Sequence, residues 1–507
     1  MQMHRQPIFH LFANPIVSSG NTNGFTTFID GDTQFTYMLV DVGDEIDYTE
    51  GSLFKMPPID QDFAVCASGA SGFIAYSSDM TVVAEYLDSP IKNISVSVGY
   101  HHWLAMHAFD HAHITLISFI SCYDQPPAML YFLTLTQRCN LACTYCGSSE
   151  DLDIEDLVDP LDCQYKVNVL DKLAKPLKRE EEPFAICFYG GEPLLQIRAI
   201  KKVIAQHEGK PTRFVLQTNG TKLNRTPTPI VNKMDCILIS VDGGEKVTDA
   251  NRGAGTWRQA IENGYLIRKN GFTGDLIARM TVSHVSGDIY QDVKDLFDLG
   301  LFDHVHWQLD AQWSTPMYAG YEDRGGFLKW RDEVYNPSIT KLATYFRDTL
   351  LNEEKLLGIA PFLPLLHSLI TGEKVTLRCG SGRDAFNVRT GGGISACPVA
   401  PDSDRKYDLA HINDEDFHPE NVRDSVKVGG PCLTCDVKDI CGGRCLYANK
   451  TMWWGEEGFL AVCQTARHLI QCMCDIQPDV ESAIDRGIID LEDLNYPKYN
   501  NSVEVIP

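Results

Sequence analysis

The chain predicts an α/β fold: a partial (β/α)6 barrel, preceded by a small β-rich domain and followed by a cysteine-rich domain. Three observations predict it. Six short apolar runs between residues 130 and 309 alternate with helical patterns, the rhythm of parallel β/α units. The first 126 residues hold short apolar runs broken by Gly, Asn, Asp and Ser, the pattern of strands and turns. From about residue 375 the composition turns to Cys, Gly and Asp.

The elements follow in order. Residues 35–40, 94–98 and 114–120 read as strands, and Asp124-Gln125-Pro126-Pro127 marks a boundary, so 1–126 is expected to be a β-rich or α+β domain. The barrel is expected over 127–330. Its strands fall at 130–135, 184–188, 213–217, 236–241, 275–282 and 304–309, with helices at 160–176, 194–206, 257–269 and 290–299. Helices at 327–354 and 361–369 give a helical linker, 331–374. The cysteine-rich domain covers 375–475 and ends in a helix at 466–474, and 476–507 reads as a tail.

With 507 residues, 44% of them hydrophobic, the chain can build two to four domains with a sizeable core. No run of about 18 uncharged apolar residues argues for a membrane span. The start, Met-Gln-Met-His-Arg-Gln-Pro, lacks an apolar signal core, so a cytoplasmic location is expected. Seventeen cysteines without such a signal point to metal or redox chemistry rather than disulfides. A formal net charge of −24 disfavours nucleic acid and anionic lipid surfaces. It suits a basic peptide partner, or simply solubility.

Cys139, Cys143 and Cys146 follow the first barrel strand directly, in Leu-Thr-Gln-Arg-Cys-Asn-Leu-Ala-Cys-Thr-Tyr-Cys. The C-terminal end of a barrel strand is where such folds place their chemistry. A four-iron cluster normally takes four Cys ligands, so three thiolates leave one iron open to substrate or cofactor. Zinc sites usually show paired C-x-x-C units instead.

With Tyr145 just before the last cysteine, the triplet resembles the radical S-adenosylmethionine (radical SAM) signature. Phe188-Tyr189-Gly190-Gly191-Glu192-Pro193 resembles that family's second element, a turn that receives the amino group of the methionine moiety. Ile239-Ser240-Val241-Asp242-Gly243, with Arg252 beyond it, resembles a fourth-strand element near the cofactor carboxylate, and reads equally well as a strand with an Asp-Gly turn. Arg279, on a strand, has a fork that could hold the same carboxylate or face solvent. The resemblance implies a partial TIM-barrel core and S-adenosyl-L-methionine as cofactor. It implies a catalytic [4Fe–4S] cluster on Cys139, Cys143 and Cys146, with Tyr145, Gly190, Gly191, Glu192, Pro193, Ser240 and Arg252 around the cofactor. The implied activity is reductive cleavage to a 5′-deoxyadenosyl radical that abstracts hydrogen from a peptide or protein, under anaerobic conditions. An electron donor such as ferredoxin or flavodoxin would serve it.

Cys432, Cys435, Cys441 and Cys445 are spaced C-x2-C-x5-C-x3-C, with Cys379 and Cys397 upstream and Cys463 downstream. Taken alone, they also suit a zinc ribbon. After such a core they resemble the SPASM extension, which implies two auxiliary [4Fe–4S] clusters. The distal one would sit on Cys432, Cys435, Cys441 and Cys463, and the nearer one on Cys379, Cys397 and Cys445. Where the family carries a further ligand to the nearer cluster this chain has Ala385, with Asp384 beside it. That cluster would have an open iron or a substitute ligand. Cys472 and Cys474 fit the core of the last helix.

Sulfatase-maturing enzymes share the extension, with Asp after the second auxiliary cysteine. Here Pro398 follows Cys397, which counts against formylglycine formation. The better resemblance, over about 130–468, is to peptide-modifying radical SAM enzymes seen mostly in methanogenic archaea. It includes Ile277-Ala278-Arg279-Met280-Thr281-Val282, Leu377-Arg378-Cys379-Gly380-Ser381-Gly382 and Cys441-Gly442-Gly443-Arg444-Cys445-Leu446-Tyr447-Ala448-Asn449. A non-enzymatic iron–sulfur electron carrier is the remaining alternative. His101, His102, His107, His111 and His113 cluster in the N-terminal domain, where His107 and His111 would share a helical face if that segment is helical. Trp453 and Trp454 shield the last cysteine loop or bind peptide.

Overall fold

The computed structural model describes eight strands between residues 24 and 120, then residues 129–146, 184–210, 212–310, 321, 323–400, 404–411, 414 and 422–496. The chain divides into two units, Met1–Gln125 and Pro126–Pro507.

The first unit carries two sheets. Strands β1 (Gly24–Asp30), β2 (Thr33–Asp41), β3 (Val65–Gly69), β4 (Gly72–Tyr76) and β5 (Val82–Glu85) pair in chain order. Strands β6 (Ile94–Val98), β7 (His102–Ala108) and β8 (Thr115–Ile120) form an antiparallel trio. The β-rich expectation holds. His102 and His107 lie on β7, so a shared helical face is not what joins the histidines. His101, His111 and His113 lie outside the described residues.

The second unit is built on six parallel strands in chain order: β9 (Met129–Thr136), β10 (Phe184–Gly190), β11 (Thr212–Thr218), β12 (Cys236–Ser240), β13 (Asp275–Val282) and β14 (His304–Leu309). Their sequences are near-continuous apolar runs because helices and the strand interior bury both faces. Ile186, Phe188, Val215, Ile237, Leu238, Ile277 and Ala278 are all fully buried. Helices α1 (Ile197–Gln206), α2 (Glu245–Arg252), α3 (Thr256–Lys269) and α4 (Ile289–Asp298) connect them. Asp288 caps α4, accepting from the Gln291 N–H. Helix α2, Glu-Lys-Val-Thr-Asp-Ala-Asn-Arg, carries no apolar stripe and so escapes a periodicity reading. The helix expected at 160–176 lies outside the described residues.

The helix expected over 327–354 is realised as α5 (Arg324–Trp330), a π-turn (Arg331–Tyr335) and α6 (Asn336–Glu353). The π-turn ends just before Pro337, which has no N–H to give the preceding turn and shifts the ladder by one residue. Helix α7 spans Phe362–Thr371.

The chain then returns to the same sheet. Strand β15 (Ala385–Val388) pairs in parallel with β9, and β16 (Gly393–Ser395) and β17 (Asp408–His411) extend it to nine strands. Helix α8 (Leu446–Thr451) and the long α9 (Gly455–Asp485) follow. The helix expected at 466–474 is thus longer at both ends. The expected tail is corrected as well: the chain stays helical through Pro478 to Asp485, and Leu494 is buried beyond it. Pro478 reads as a stop, but α9 keeps its buried face past it with Val480 and Ala483. Among the described residues no helix is long and apolar enough to cross a membrane.

Candidate active site

The cysteine triplet leaves the C-terminal end of β9 and is held there from two sides. The first tie is the end of β10. The Gly191 N–H donates to the Thr136 carbonyl at 2.9 Å, and the Glu192 N–H to the Arg138 carbonyl at 2.9 Å. Gly190 has φ of +127°, and a Cβ there would collide with the Thr136 carbonyl, while one on Gly191 would collide with that of Arg138. Both glycines are needed because β10 rides directly on the backbone that opens the cysteine loop. Pro193 then begins a 3-10 turn, where its missing N–H costs nothing.

Glu192 is 0% exposed. Its carboxylate accepts from Leu194 N (2.9 Å), Thr218 Oγ1 (2.8 Å) and Asn219 N (2.8 Å). Burial raises its pKa, and those three donors act against the rise. Its side chain therefore brackets the ends of β10 and β11. Asn219 passes the tie on, donating from Nδ2 to Asn140 Oδ1 at 3.1 Å and toward Cys139 Sγ at 3.8 Å.

The second tie is Asp242, just past β12 and also 0% exposed. Oδ2 accepts from Tyr145 Oη (2.8 Å), Asn251 Nδ2 (3.2 Å) and Arg252 Nε (3.0 Å). Oδ1 accepts from Arg252 Nη2 (2.7 Å) and Thr281 N (2.8 Å). The Arg252 guanidinium lies 5.4 Å from the Tyr145 ring centre. The Thr144 N–H donates to the Asn251 carbonyl at 2.9 Å. Tyr145 and Arg252, two expected cofactor neighbours, thus meet through a carboxylate that motif reading had treated only as part of a turn. Ser240 ends β12 in register with Arg279. Arg279 is buried rather than solvent-facing, bonded to His306 Nδ1 (2.6 Å) and to Gln308 Oε1 on β14.

Cys139 and Cys146 are exposed and Cys143 is half-buried. Burial pushes the Cys143 thiol up to about 11, Arg252 pulls it down, and Cys146 and Cys139 push it up, so the sulfurs feel one another's charge. Metal binding would reverse this, since a coordinating thiol is deprotonated outright. Among the described residues no three His, Cys, Asp or Glu side chains converge on a point for a single metal ion. A four-iron cluster makes a different demand, because each thiolate binds its own iron and the sulfurs must ring a volume. Three thiols on one short loop at a barrel mouth fit that demand.

The second set of cysteines flanks β15 in the chain, Cys379 before it and the others after it. Cys432, Cys435, Cys441 and Cys463 line one cavity. Cys379, Cys397 and Cys445 are buried in a small core that also takes in Cys432, Tyr407 and Tyr447. Ala385 opens β15 and is buried. The Asp384 carboxylate faces Arg423 at 3.4 Å and Arg383 at 3.8 Å. Cys472 is buried in the main core and Cys474 packs against it, with Cys472 Sγ 3.5 Å from His468 Nε2. Trp453 is 46% exposed, its Nε1 donating to Tyr447 Oη at 3.3 Å, and Trp454 packs edge-on against Phe327.

Residues 133–300 match the model of the Radical SAM superfamily. The matched segment is a radical SAM domain. The chain is an enzyme, and the electron-carrier alternative is set aside on that ground. Over 331 residues it is 25% identical to the mycofactocin maturase of Mycobacterium ulcerans, covering 62% of this chain and 82% of the relative. Over 350 residues it is 24% identical to the cysteine-type anaerobic sulfatase-maturating enzyme of Clostridium perfringens, covering 63% and 89%. The solved structure of native anSMEcpe with bound AdoMet shares the fold. It has a TM-score of 0.53 and 19% identity, covering 70% of this chain and all of that one.

Proposed function

We propose that this radical SAM enzyme is a maturase that modifies a peptide or protein. Cys139, Cys143 and Cys146 would hold the catalytic [4Fe–4S] cluster. The observation that carries the reading is the double anchoring of the cysteine loop, by Gly190–Gly191 on one side and by Tyr145–Asp242 on the other. Such anchoring fixes three thiols at the C-terminal end of a parallel sheet, where reaction geometry must be held tightly. When bound, the cluster with S-adenosyl-L-methionine supplies the radical chemistry, and the protein supplies orientation and exclusion of water.

The Gly190–Pro193 turn, Ser240 and Arg252 would surround the cofactor. Residues 375–475 would form a SPASM domain with two auxiliary clusters, the distal on Cys432, Cys435, Cys441 and Cys463 and the nearer on Cys379, Cys397 and Cys445. A small ferredoxin or flavodoxin would supply electrons. The relatives are named as maturases, which supports a peptide or protein substrate. Formylglycine formation is the second reading, favoured by the sulfatase-maturating relative and opposed by Pro398 after Cys397.

The test is anaerobic reconstitution, iron and sulfide counting, then dithionite with S-adenosylmethionine and detection of 5′-deoxyadenosine. About twelve irons with cofactor cleavage, lost in Cys143→Ala, is the expected result. Full iron loading without cleavage would overturn it. About four irons, bound zinc and retained cleavage would make the C-terminal cysteines structural.

A further inference from the structure

Arg444 occupies the link Cys441-Gly442-Gly443-Arg444-Cys445, where three consecutive residues have positive φ: 75°, 98° and 56°. The two glycines are required there. A Cβ on Gly442 would lie 2.8 Å from Leu377 N, and one on Gly443 2.9 Å from Val428 Cγ1. Arg444 has a Cβ and adopts the disfavoured left-handed conformation nonetheless. Its side chain turns inward, is 3% exposed, and lies with its guanidinium 5.1 Å from the Phe459 ring centre. Nε and Nη1 are buried without a hydrogen-bond partner, and no carboxylate among the described residues pairs with the group.

A buried cation needs an anion or acceptors. Arg444 lines the same cavity as Cys432, Cys435, Cys441 and Cys463. Two more N–H donors reach those sulfurs: Asn449 Nδ2 lies 3.4 Å from Cys432 Sγ, and Arg467 Nη2 3.3 Å from Cys435 Sγ. Arg467 is held by Asp436. Asn449 is fixed against the Gly429 backbone, at 2.7 and 3.0 Å. Four thiolates around an iron–sulfur core make a compact anion, the partner the buried guanidinium lacks. The contrast with the triplet is direct. There the nearby guanidinium, Arg252, is already matched by Asp242.

We propose that Arg444 is the buried counter-charge of the cluster held by Cys432, Cys435, Cys441 and Cys463. Assisted by the N–H groups of Asn449 and Arg467, it raises that cluster's reduction potential. The inference rests on the reading that these cysteines hold a cluster. A fixed positive charge and N–H···S bonds stabilise the more negative, reduced form, and these are recognised determinants of cluster potential.

The test is an anaerobic redox titration of the full chain, followed by EPR, with iron counted in each sample. In Arg444→Gln one cluster signal should move to more negative potential while the triplet signal stays in place, and Arg444→Lys should keep part of the wild-type position. Full iron with an unmoved midpoint in Arg444→Gln would overturn the inference. If Arg444→Gln loses that cluster, the decision passes to an Arg378→Lys/Arg467→Lys variant carrying guanidino-15N arginine, because Arg378 also sits beside Cys441, its Nε on the Ile440 carbonyl. Pulsed EPR of its reduced distal cluster should show 15N coupling from Arg444, and absence of the coupling overturns the proposal. Zinc in place of iron at these cysteines, in wild type, would instead sink the cluster reading itself.

Discussion

Replacing Asp242 by Asn should detach the cysteine loop from the barrel. Asp242 accepts five hydrogen bonds, from Tyr145, Asn251, Thr281 and twice from Arg252. The amide retains one oxygen, which can still serve Thr281 N and Arg252 Nη2. Its NH2 must then face Arg252 Nε, Asn251 Nδ2 and Tyr145 Oη, which are donors as the network stands. Tyr145 can rotate its hydroxyl to accept and Asn251 can turn its amide to present Oδ1, but the Arg252 guanidinium has no acceptor. Breaking a buried ion pair by removing one partner costs about 3–5 kcal/mol. The retained oxygen places Asp242→Asn near the lower end, about 3 kcal/mol, a large share of a typical folding free energy of about 5–15 kcal/mol.

Urea denaturation of the cluster-free protein measures the cost, and iron counting after reconstitution measures the consequence. The loss should fall on the triplet, so that iron drops by about a third and 5′-deoxyadenosine formation disappears. An Asp242→Leu/Arg252→Met double variant removes both charges and should be more stable than Asp242→Asn, because no unpaired charge stays buried. A change in stability within about 0.5 kcal/mol, typical of an uninvolved surface site, would refute the reasoning. So would a double variant no more stable than Asp242→Asn.

Gly191→Ala should leave the core intact but push the Arg138 carbonyl away, lowering iron retention at the triplet more than global stability; equal losses in both would count against the bracket role. Asp292 tests the electrostatics beneath α2. Burial holds its carboxyl up at about 6 instead of 3.8, so the folded state binds more protons between those values and stability falls as pH rises through that window. Asp292→Asn should therefore be more stable near neutral pH by on the order of 2–3 kcal/mol, with the gain vanishing in acid; urea midpoints across pH decide, and no neutral gain refutes it. Cys143→Ala should abolish cofactor cleavage while leaving the iron of the C-terminal cysteines in place, checked by Mössbauer or iron counting.

The six parallel strands were legible because each is a dense apolar run, buried on both faces and bounded by turn residues. Strands β15 to β17 were not. Ala-Phe-Asn-Val and Gly-Ile-Ser are too short for periodicity, and only pairing makes them strands, β15 with β9 and β16 with β15 and β17. The cysteines and the Gly-Gly turn were legible as motifs. The residues that hold them were not, since Asn219, Asp242 and Asn251 are ordinary turn and helix-end residues in one dimension. Their roles arise from distances across β11, β12 and α2. Asp242 did have one signal: an acidic residue after an apolar strand with Arg252 one helix later. Glu192 and Arg252 were expected beside the cofactor, yet the carboxylate of one and two guanidinium nitrogens of the other are bonded within the protein.

The sheet order has a mechanical consequence for the two cysteine sets. Without β15, strand β9 would be an open edge, with unpaired backbone groups beside the very loop that carries the triplet. Strand β15 closes that edge in parallel register, Ala385 opposite Leu130 through Val388 opposite Leu133, and the Leu130 N–H donates to the Asp384 carbonyl at 2.8 Å. Thr134 and Asn387 add a buried side-chain bond of 2.8 Å across the same pair. Asn387 in turn donates to Ser395 on β16, next to the turn that bears Cys397. The strand leading to Cys139 and the strands leading to Cys397 therefore form one hydrogen-bonded ladder rather than two domains joined by a linker. A hinge between the two cysteine sets would have to break that ladder. Chemistry that depends on a fixed spacing between them needs only the stiffness that pairing already provides.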